Sequence, residues 1–171
     1  MNSKIKYFSL LIVSILVGLS TLSCEHGIEP RVEPPRTGFS GTIKFINDWP
    51  KDVYRTHIVV FKDTIKIPAD FNILNIGFVS DTIPMNLKNY NYESDQNPAF
   101  AISPGVFKYI CIAQSTVPHV SLDRKDWRVA GIYFTPYDST KYGQIEIKEG
   151  IFLTNINITV DFKNPPIQPP K

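Results

Sequence analysis

Short runs that alternate polar and apolar residues constrain the fold of this chain more than any other feature. In segment 39–46, Phe39, Ile43 and Phe45 fall on one side, which is the period-two pattern of a half-buried β-strand. Turn-forming residues separate such runs, and after Cys24 no segment keeps a helical period. The segments with strand character are 39–46, 57–62, 64–67, 89–93, 106–114, 127–134, 144–148 and 155–162.

About seven strands joined by tight turns predict an all-β domain over residues 38–163, built as an antiparallel two-sheet sandwich. Segment 106–114 is a long apolar run and is expected to be its central strand. Segment 68–98 leaves strand, short helix and loop open, because asparagine interrupts its apolar residues. The proline-rich end, residues 164–171, predicts a loose extended tail.

Two short motifs resemble those of transthyretin-like modules, also called carboxypeptidase-regulatory-like domains. They are the Gly-Thr-Ile sequence at 41–43 and the Pro-Gly-Val-Phe sequence at 104–107. In that family a Pro-Gly-x-Tyr turn opens a strand; here Phe107 replaces the tyrosine, and segment 95–100 lacks the glycine of the family's preceding hairpin. The resemblance covers about residues 39–162. It implies a β-sandwich of the kind that many bacterial envelope proteins carry, and it implies no catalytic residues.

The first 23 residues have the order of a secretory signal peptide. Lys4 and Lys6 form a positive region, an apolar run extends to about Leu22, and small residues lead to Cys24. The run is shorter than the roughly 20 residues of a membrane-spanning helix. The Thr-Leu-Ser-Cys sequence at 21–24 resembles a bacterial lipobox, although its leucine lies one place nearer the cysteine than usual. An uncleaved anchor and an ordinary signal peptide remain as alternatives.

The lipobox resemblance implies that Cys24 is acylated and becomes the first residue of the mature protein. Residues 24–37 are proline-rich and are expected to form an extended, solvated tether. Glu25 stands where aspartate is the usual inner-membrane retention signal of enteric bacteria. The sequence therefore predicts an outer-membrane lipoprotein, periplasmic or surface-exposed, that contacts the membrane through its N-terminal lipid.

The charge of the mature chain gives no indication of a nucleic-acid partner. The full chain has a formal net charge of +2, from 18 basic and 16 acidic residues. Removal of residues 1–23 takes away Lys4 and Lys6 and no acidic residue, so the net charge falls to zero. About 148 residues remain, which suits a single domain.

Two cysteines are present, and they leave two arrangements open. If Cys24 carries lipid, Cys111 has no partner, and its apolar surroundings in segment 109–113 predict a buried, unreactive thiol. If Cys24 is not acylated, a disulfide between Cys24 and Cys111 is the alternative.

No motif of a known catalytic or metal site occurs in the chain. His26, His57 and His119 lack metal-ligand spacing, and neither a nucleophile elbow nor a phosphate-binding glycine loop is present. The sequence therefore predicts a non-enzymatic binding or scaffolding module without a cofactor. The alternative is a carbohydrate-active, hydrolase-like enzyme that pairs two loop carboxylates. The candidate acids are Asp81, Glu93, Asp95, Asp123, Asp126 and Asp138.

Aromatic residues provide the best indication of a binding surface. Tyr90 and Tyr92 are two residues apart in an alternating run, so they share one strand face, and Trp49 lies in a turn. If the three rings are exposed, they form a platform for a glycan or an envelope protein. If they are buried, they belong to the core, and the sequence leaves both alternatives open.

Overall fold

The computed structural model describes residues 34–170, and within that range the protein is all-β, with no α-helix. Two short 3-10 turns, Pro68–Asp70 and Arg124–Asp126, lie in loops. The strands are β1 (Gly38–Ile46), β2 (Arg55–Phe61), β3 (Ile76–Val79), β4 (Asn89–Glu93), β5 (Gly105–Phe107), β6 (Tyr109–Ser115), β7 (Trp127–Ile132), β8 (Phe134–Thr135), β9 (Asp138–Tyr142), β10 (Ile145–Ile147), β11 (Phe152–Leu153) and β12 (Ile158–Asp161).

Eight strands form one curled, mixed sheet. Its order is β11-β1-β12-β7-β6-β2-β3, and β4 pairs with β1 outside this path. Strand β1 is antiparallel to β4 on one edge and parallel to both β11 and β12 on the other. Two small antiparallel pairs, β5 with β10 and β8 with β9, complete the fold. The predicted all-β class is confirmed, whereas a purely antiparallel arrangement of about seven strands is wrong because β1 has parallel partners.

The central strands β2 and β6 are buried on both faces. From β2, Ile58 and Val60 enter the main core, which we call the inner face of the sheet. Val59 and Phe61 alternate with them and enter a second apolar cluster, which we call the outer face. Burial of one such side chain stabilises the fold by about 1.5–3 kcal/mol. A strand covered on both sides explains why β2 has a continuous β-branched run instead of a polar alternation.

The predicted central strand 106–114 is interrupted at Lys108. Strand β5 before it pairs with β10, and β6 after it pairs with β2 and β7. The Lys108 backbone N–H donates to the Phe61 carbonyl at 3.1 Å, where the chain passes from one sheet into the other. The Phe107 ring then packs against Gly77 so closely that a Cβ there would lie 2.1 Å from Cε1. Only glycine fits at position 77.

Segment 68–98, whose structure the sequence left open, contains β3, β4 and connecting loops. The predicted strand at 64–67 is instead part of a loop that crosses the outer face, with Ile65 and Phe71 packed against it. The Asp70 carboxylate accepts the backbone N–H groups of Lys66 and Ile67, at 2.7 and 3.0 Å, and so replaces the hydrogen bonds a strand would make.

The C-terminal tail is docked on the domain, which corrects the expectation of a loose end. The Gln168 side-chain amide donates to the Val129 carbonyl and accepts the Val129 N–H, both at 2.8 Å. Pro169 is buried, and its carbonyl accepts a hydrogen bond from Arg124 at 2.8 Å. The amide of Gln168 therefore occupies the hydrogen-bonding place of a neighbouring strand beside β7.

Cys111 is a free, buried thiol on the outer face, and its predicted burial is confirmed. Burial raises the pKa of this thiol to about 12, because the thiolate would have to leave water. Within residues 34–170, no helix has the length and apolar character of a membrane span.

Candidate binding pocket

The predicted aromatic platform is not exposed in the described part of the chain. Tyr92 is 6% exposed, and its hydroxyl donates to the Ile156 carbonyl at 2.6 Å. Its ring meets that of Phe39 edge-on, with 5.7 Å between centroids. Tyr90 is half-buried and packs against the same core. These placements agree with the core alternative that the sequence left open.

Trp49, the third ring of that platform, also packs against the inner core. Its indole N–H donates to the Leu87 carbonyl at 2.9 Å. The ring lies 4.5 Å from that of Phe45 and 5.1 Å from that of Phe162. Trp49 is half-buried, so these contacts make its ring part of the core packing. Cys24, the predicted lipidation site, lies outside the described residues.

Two of the candidate catalytic acids share one arginine. The Arg36 guanidinium binds both Glu93 and Asp95, with 2.7 Å between its Nε and the Asp95 carboxylate. Hydrogen bonds from Arg36 hold the pKa of Asp95 below its usual range. A general acid needs the opposite shift, and Arg36 itself packs over the Phe152 ring at 4.1 Å. The arrangement is that of a solvated ion-pair cluster.

The other candidate acids are separate from this cluster. Asp138 pairs with Lys141 at 3.2 Å, and Asp126 accepts the Ser121 hydroxyl at 2.6 Å. Asp123 lies 3.8 Å from Lys125, and Asp81 is exposed and accepts the Thr82 N–H. Across residues 34–170, no three His, Cys, Asp or Glu side chains come together in a way that could hold a metal ion.

A pocket of about 360 Å³ lies on the outer face of the main sheet, and its lining is mostly apolar. The sheet forms its floor with side chains that alternate along β2 and with Ala113 of β6, and Trp127 of β7 adds an aromatic wall. Ala113 is paired with His57 across the two strands. The remaining lining residues are Arg55, Val59, Phe71, Ile76, Val79, Asp81, Thr82, Ala99, Val120, Ser121 and Leu122.

The loop between β6 and β7 forms one wall of the pocket, and hydrogen bonds from side chains to its backbone hold it in place. The Arg55 guanidinium donates to the Pro118 and His119 carbonyls, the latter at 2.9 Å. The Trp127 indole N–H donates to the Ser121 carbonyl at 2.9 Å. At the top of this wall Val120 is 80% exposed and Leu122 is 65% exposed. The pocket thus has a fixed wall with an apolar rim that water does not favour.

His57 is the buried polar group of this pocket. It is 8% exposed, and its Nδ1 lies 2.9 Å from the Ser80 carbonyl oxygen. A carbonyl only accepts hydrogen bonds, so Nδ1 carries a proton, and in the neutral tautomer with this proton Nε2 is an acceptor. Among residues 34–170, Nε2 has no hydrogen-bond partner. Among the same residues, the Tyr109 hydroxyl is the one fully buried side-chain polar atom without a partner. Nε2 is therefore not fully buried, and a ligand can reach it.

A larger depression of about 720 Å³ lies between β3 and β5, but it is a weaker candidate. It is wide open, and Lys62, Asp63 and Lys108 at its rim are exposed. Lys108 and Asp63 pair with each other at 2.7 Å. The smaller pocket is more enclosed and contains a buried polar group, which are the features of a ligand site.

Sequence reasoning did not identify the 360 Å³ pocket, because its residues come from several segments that are far apart in the chain. Two signals were present: a histidine next to a β-branched run, and Val120 and Leu122 in a mostly polar loop. Neither signal indicates a pocket until the sheet places them together. No family model, curated protein or solved structure matches this chain, so the pocket has to be interpreted from its own geometry.

Proposed function

We propose that this protein is a lipid-anchored binding module of the bacterial cell envelope, without catalytic activity. The order of residues 1–24 supports the anchor, with acylation at Cys24 and a tether that leads to the domain. Stable anchoring takes more than one acyl chain, which a triacylated cysteine supplies. The outer membrane is the expected location, because Glu25 follows the cysteine where aspartate would favour retention.

The apolar pocket around His57 is the observation that carries the binding role. At about 30 Å³ per water in the liquid, 360 Å³ has room for roughly a dozen heavy atoms. Its walls are apolar side chains with few polar groups, the usual composition of a small-molecule site. We therefore expect the ligand to be a small, mostly apolar molecule. The described acids give the hydrolase alternative no support, since most of them are bound to cations or to neighbouring donors.

Mass spectrometry of the native N-terminus tests the anchor. We expect the mature chain to begin at Cys24 with thioether-linked and amide-linked acyl chains. An unmodified Cys24, or cleavage at another residue, would contradict the anchor but would leave the pocket untouched.

Equilibrium dialysis with naphthalene, which has ten carbon atoms, tests the pocket. Ala99 is exposed and lines the pocket, so Ala99→Trp should fill it without disturbing the core. Ala101→Trp is the matched control, because Ala101 is exposed and does not line the pocket. We expect saturable binding by the wild type and by Ala101→Trp, and little binding by Ala99→Trp. No binding by the wild type, or equal binding by the two variants, would exclude this site.

A further inference from the structure

We infer that the pocket selects neutral aromatic ligands that carry one N–H or O–H donor, and that Nε2 of His57 receives this donor. The inference rests on the proposed binding function and specifies its ligand class. It follows from three features of the pocket: the fixed orientation of His57, the chemistry of Nε2, and the aromatic wall beside it.

The orientation of His57 is fixed through Ser80. The Ser80 N–H donates to the Ile58 carbonyl at 3.0 Å, and its hydroxyl accepts the Ile58 N–H at 2.9 Å. The same hydroxyl donates to the Asp81 carbonyl at 2.7 Å. Ser80 is therefore locked to β2 beside His57, and its carbonyl oxygen keeps the proton of the neutral imidazole on Nδ1.

His57 lines the apolar pocket, so its Nε2 is the acceptor that the pocket offers to a ligand. A ligand that brings a donor satisfies it, whereas a purely apolar ligand of the same shape removes its water and leaves it unpaired. An unpaired buried acceptor is unfavourable, so a site built around one rejects ligands without the donor.

The other polar side chains of the pocket are either exposed at its rim, as Asp81 and Thr82 are, or already hydrogen-bonded, as Arg55 and Ser121 are. The Arg55 guanidinium is a donor only, and it is used by the Pro118 and His119 carbonyls. Asp81 lies at the rim, where it accepts the Thr82 N–H at 2.6 Å. Arg55 and Asp81 both line the pocket and carry opposite charges, so the pocket favours neither a cationic nor an anionic ligand. The ligand is therefore expected to be neutral.

Because Trp127 presents a flat ring to the pocket, a ligand with an aromatic ring fits the pocket best in shape. The Trp127 ring centroid lies 6.0 Å from that of His57, and the two planes are tilted by 56°. The indole N–H is used by the Ser121 carbonyl, which fixes the ring as part of the pocket wall. A flat ring can pack against this wall while its donor reaches Nε2.

The test compares 2-naphthol with 2-methoxynaphthalene, in which a methyl group replaces the donor hydrogen. We expect the wild-type domain to bind 2-naphthol about tenfold more tightly. His57→Phe keeps a ring in place and removes the acceptor, so it should lose most of this preference and still bind naphthalene. Comparing the preference in wild type and variant cancels the differences in size and solubility between the two ligands.

A second measurement on the unmodified protein does not depend on the folding of His57→Phe. The ¹⁵N resonance of His57 Nε2 should move when 2-naphthol binds and move much less with 2-methoxynaphthalene. Equal affinity for the two ligands, together with an unchanged Nε2 resonance, would overturn the inference while naphthalene binding still supports the pocket. If none of the three compounds binds, the proposed function fails as well.

Discussion

The two faces of the main sheet are covered in different ways. Strands and their side chains close the inner face, where Phe39, Ile43 and Ile158 are almost completely buried. Loops and the short β8–β9 pair cover the outer face, and the loops leave the pocket around His57. Cover by strands fills space through regular pairing, whereas cover by loops depends on individual contacts. The difference explains why the inner face is a core and the outer face can hold a ligand.

The largest expected effect is a loss of packing at the inner face. Ile112→Ala removes part of a side chain that is fully buried between β2 and β7. We expect it to lower the free energy of unfolding by about 2–5 kcal/mol. Val120→Ala, on the exposed rim of the outer face, should change it by less than about 0.5 kcal/mol. Chemical denaturation measures both, and similar losses would show that the two faces do not differ as described.

Cys111 tests whether the apolar cluster of the outer face is closed to solvent. The raised pKa lowers the thiolate fraction by about a thousandfold from that of a thiol with a pKa of 9.0, so labelling of the folded protein should be very slow. Stability should be unaffected by this group below pH 9 and should fall as the pH rises toward 12, because the unfolded chain ionises first. A thiol reagent with and without denaturant provides the measurement. Rapid labelling without denaturant would show that this cluster is open to solvent.

The docked C-terminal tail is expected to make the next largest contribution to the free energy of unfolding. Gln168→Ala removes two hydrogen bonds to the Val129 backbone and should cost about 1–2 kcal/mol of unfolding free energy. Gln96→Ala is the matched control, because the Gln96 side chain bonds only to exposed Glu93 among the described residues. Equal effects of the two changes would mean that the tail does not stabilise the domain.

The smallest expected effect is at the Arg36 cluster. Asp95→Asn removes the charge of an exposed ion pair, which solvent screens, so its cost should be below that of Gln168→Ala. The pKa of Asp95 is lowered in the folded state, so its contribution is present at neutral pH and is lost as the pH falls below the unfolded value. Denaturation at pH 7 and pH 3 measures it. A loss larger than that of Gln168→Ala would show that this cluster is a structural centre.

Strand positions could be predicted from sequence wherever one strand face is polar. Segment 39–46 alternates, and β1 occupies residues Gly38–Ile46 with Phe39, Ile43 and Phe45 in the core. Segment 106–114 is mostly apolar, and its break at Lys108 could not be predicted because no turn former marks it. The break exists because the Phe61 carbonyl and strand β10 draw the two halves into different sheets.

The aromatic residues show the same limit at the level of the site. Alternation placed Tyr90 and Tyr92 on one strand face but could not say which face meets the core. That was decided by the pairing of β4 with β1, which turns Tyr92 toward Ile156. The pocket was less predictable still, because His57, Ala113 and Trp127 become neighbours only through the pairing of β2, β6 and β7.

The sequence by itself determined the all-β class, the positions of most strands and the burial of Cys111, because side-chain periodicity and apolar runs act locally. Only the tertiary structure decided the parallel partners of β1, the docking of Gln168 on Val129 and the pocket around His57. These features join residues that are far apart in the chain. Their energies come from hydrogen bonds and packing that no local pattern encodes.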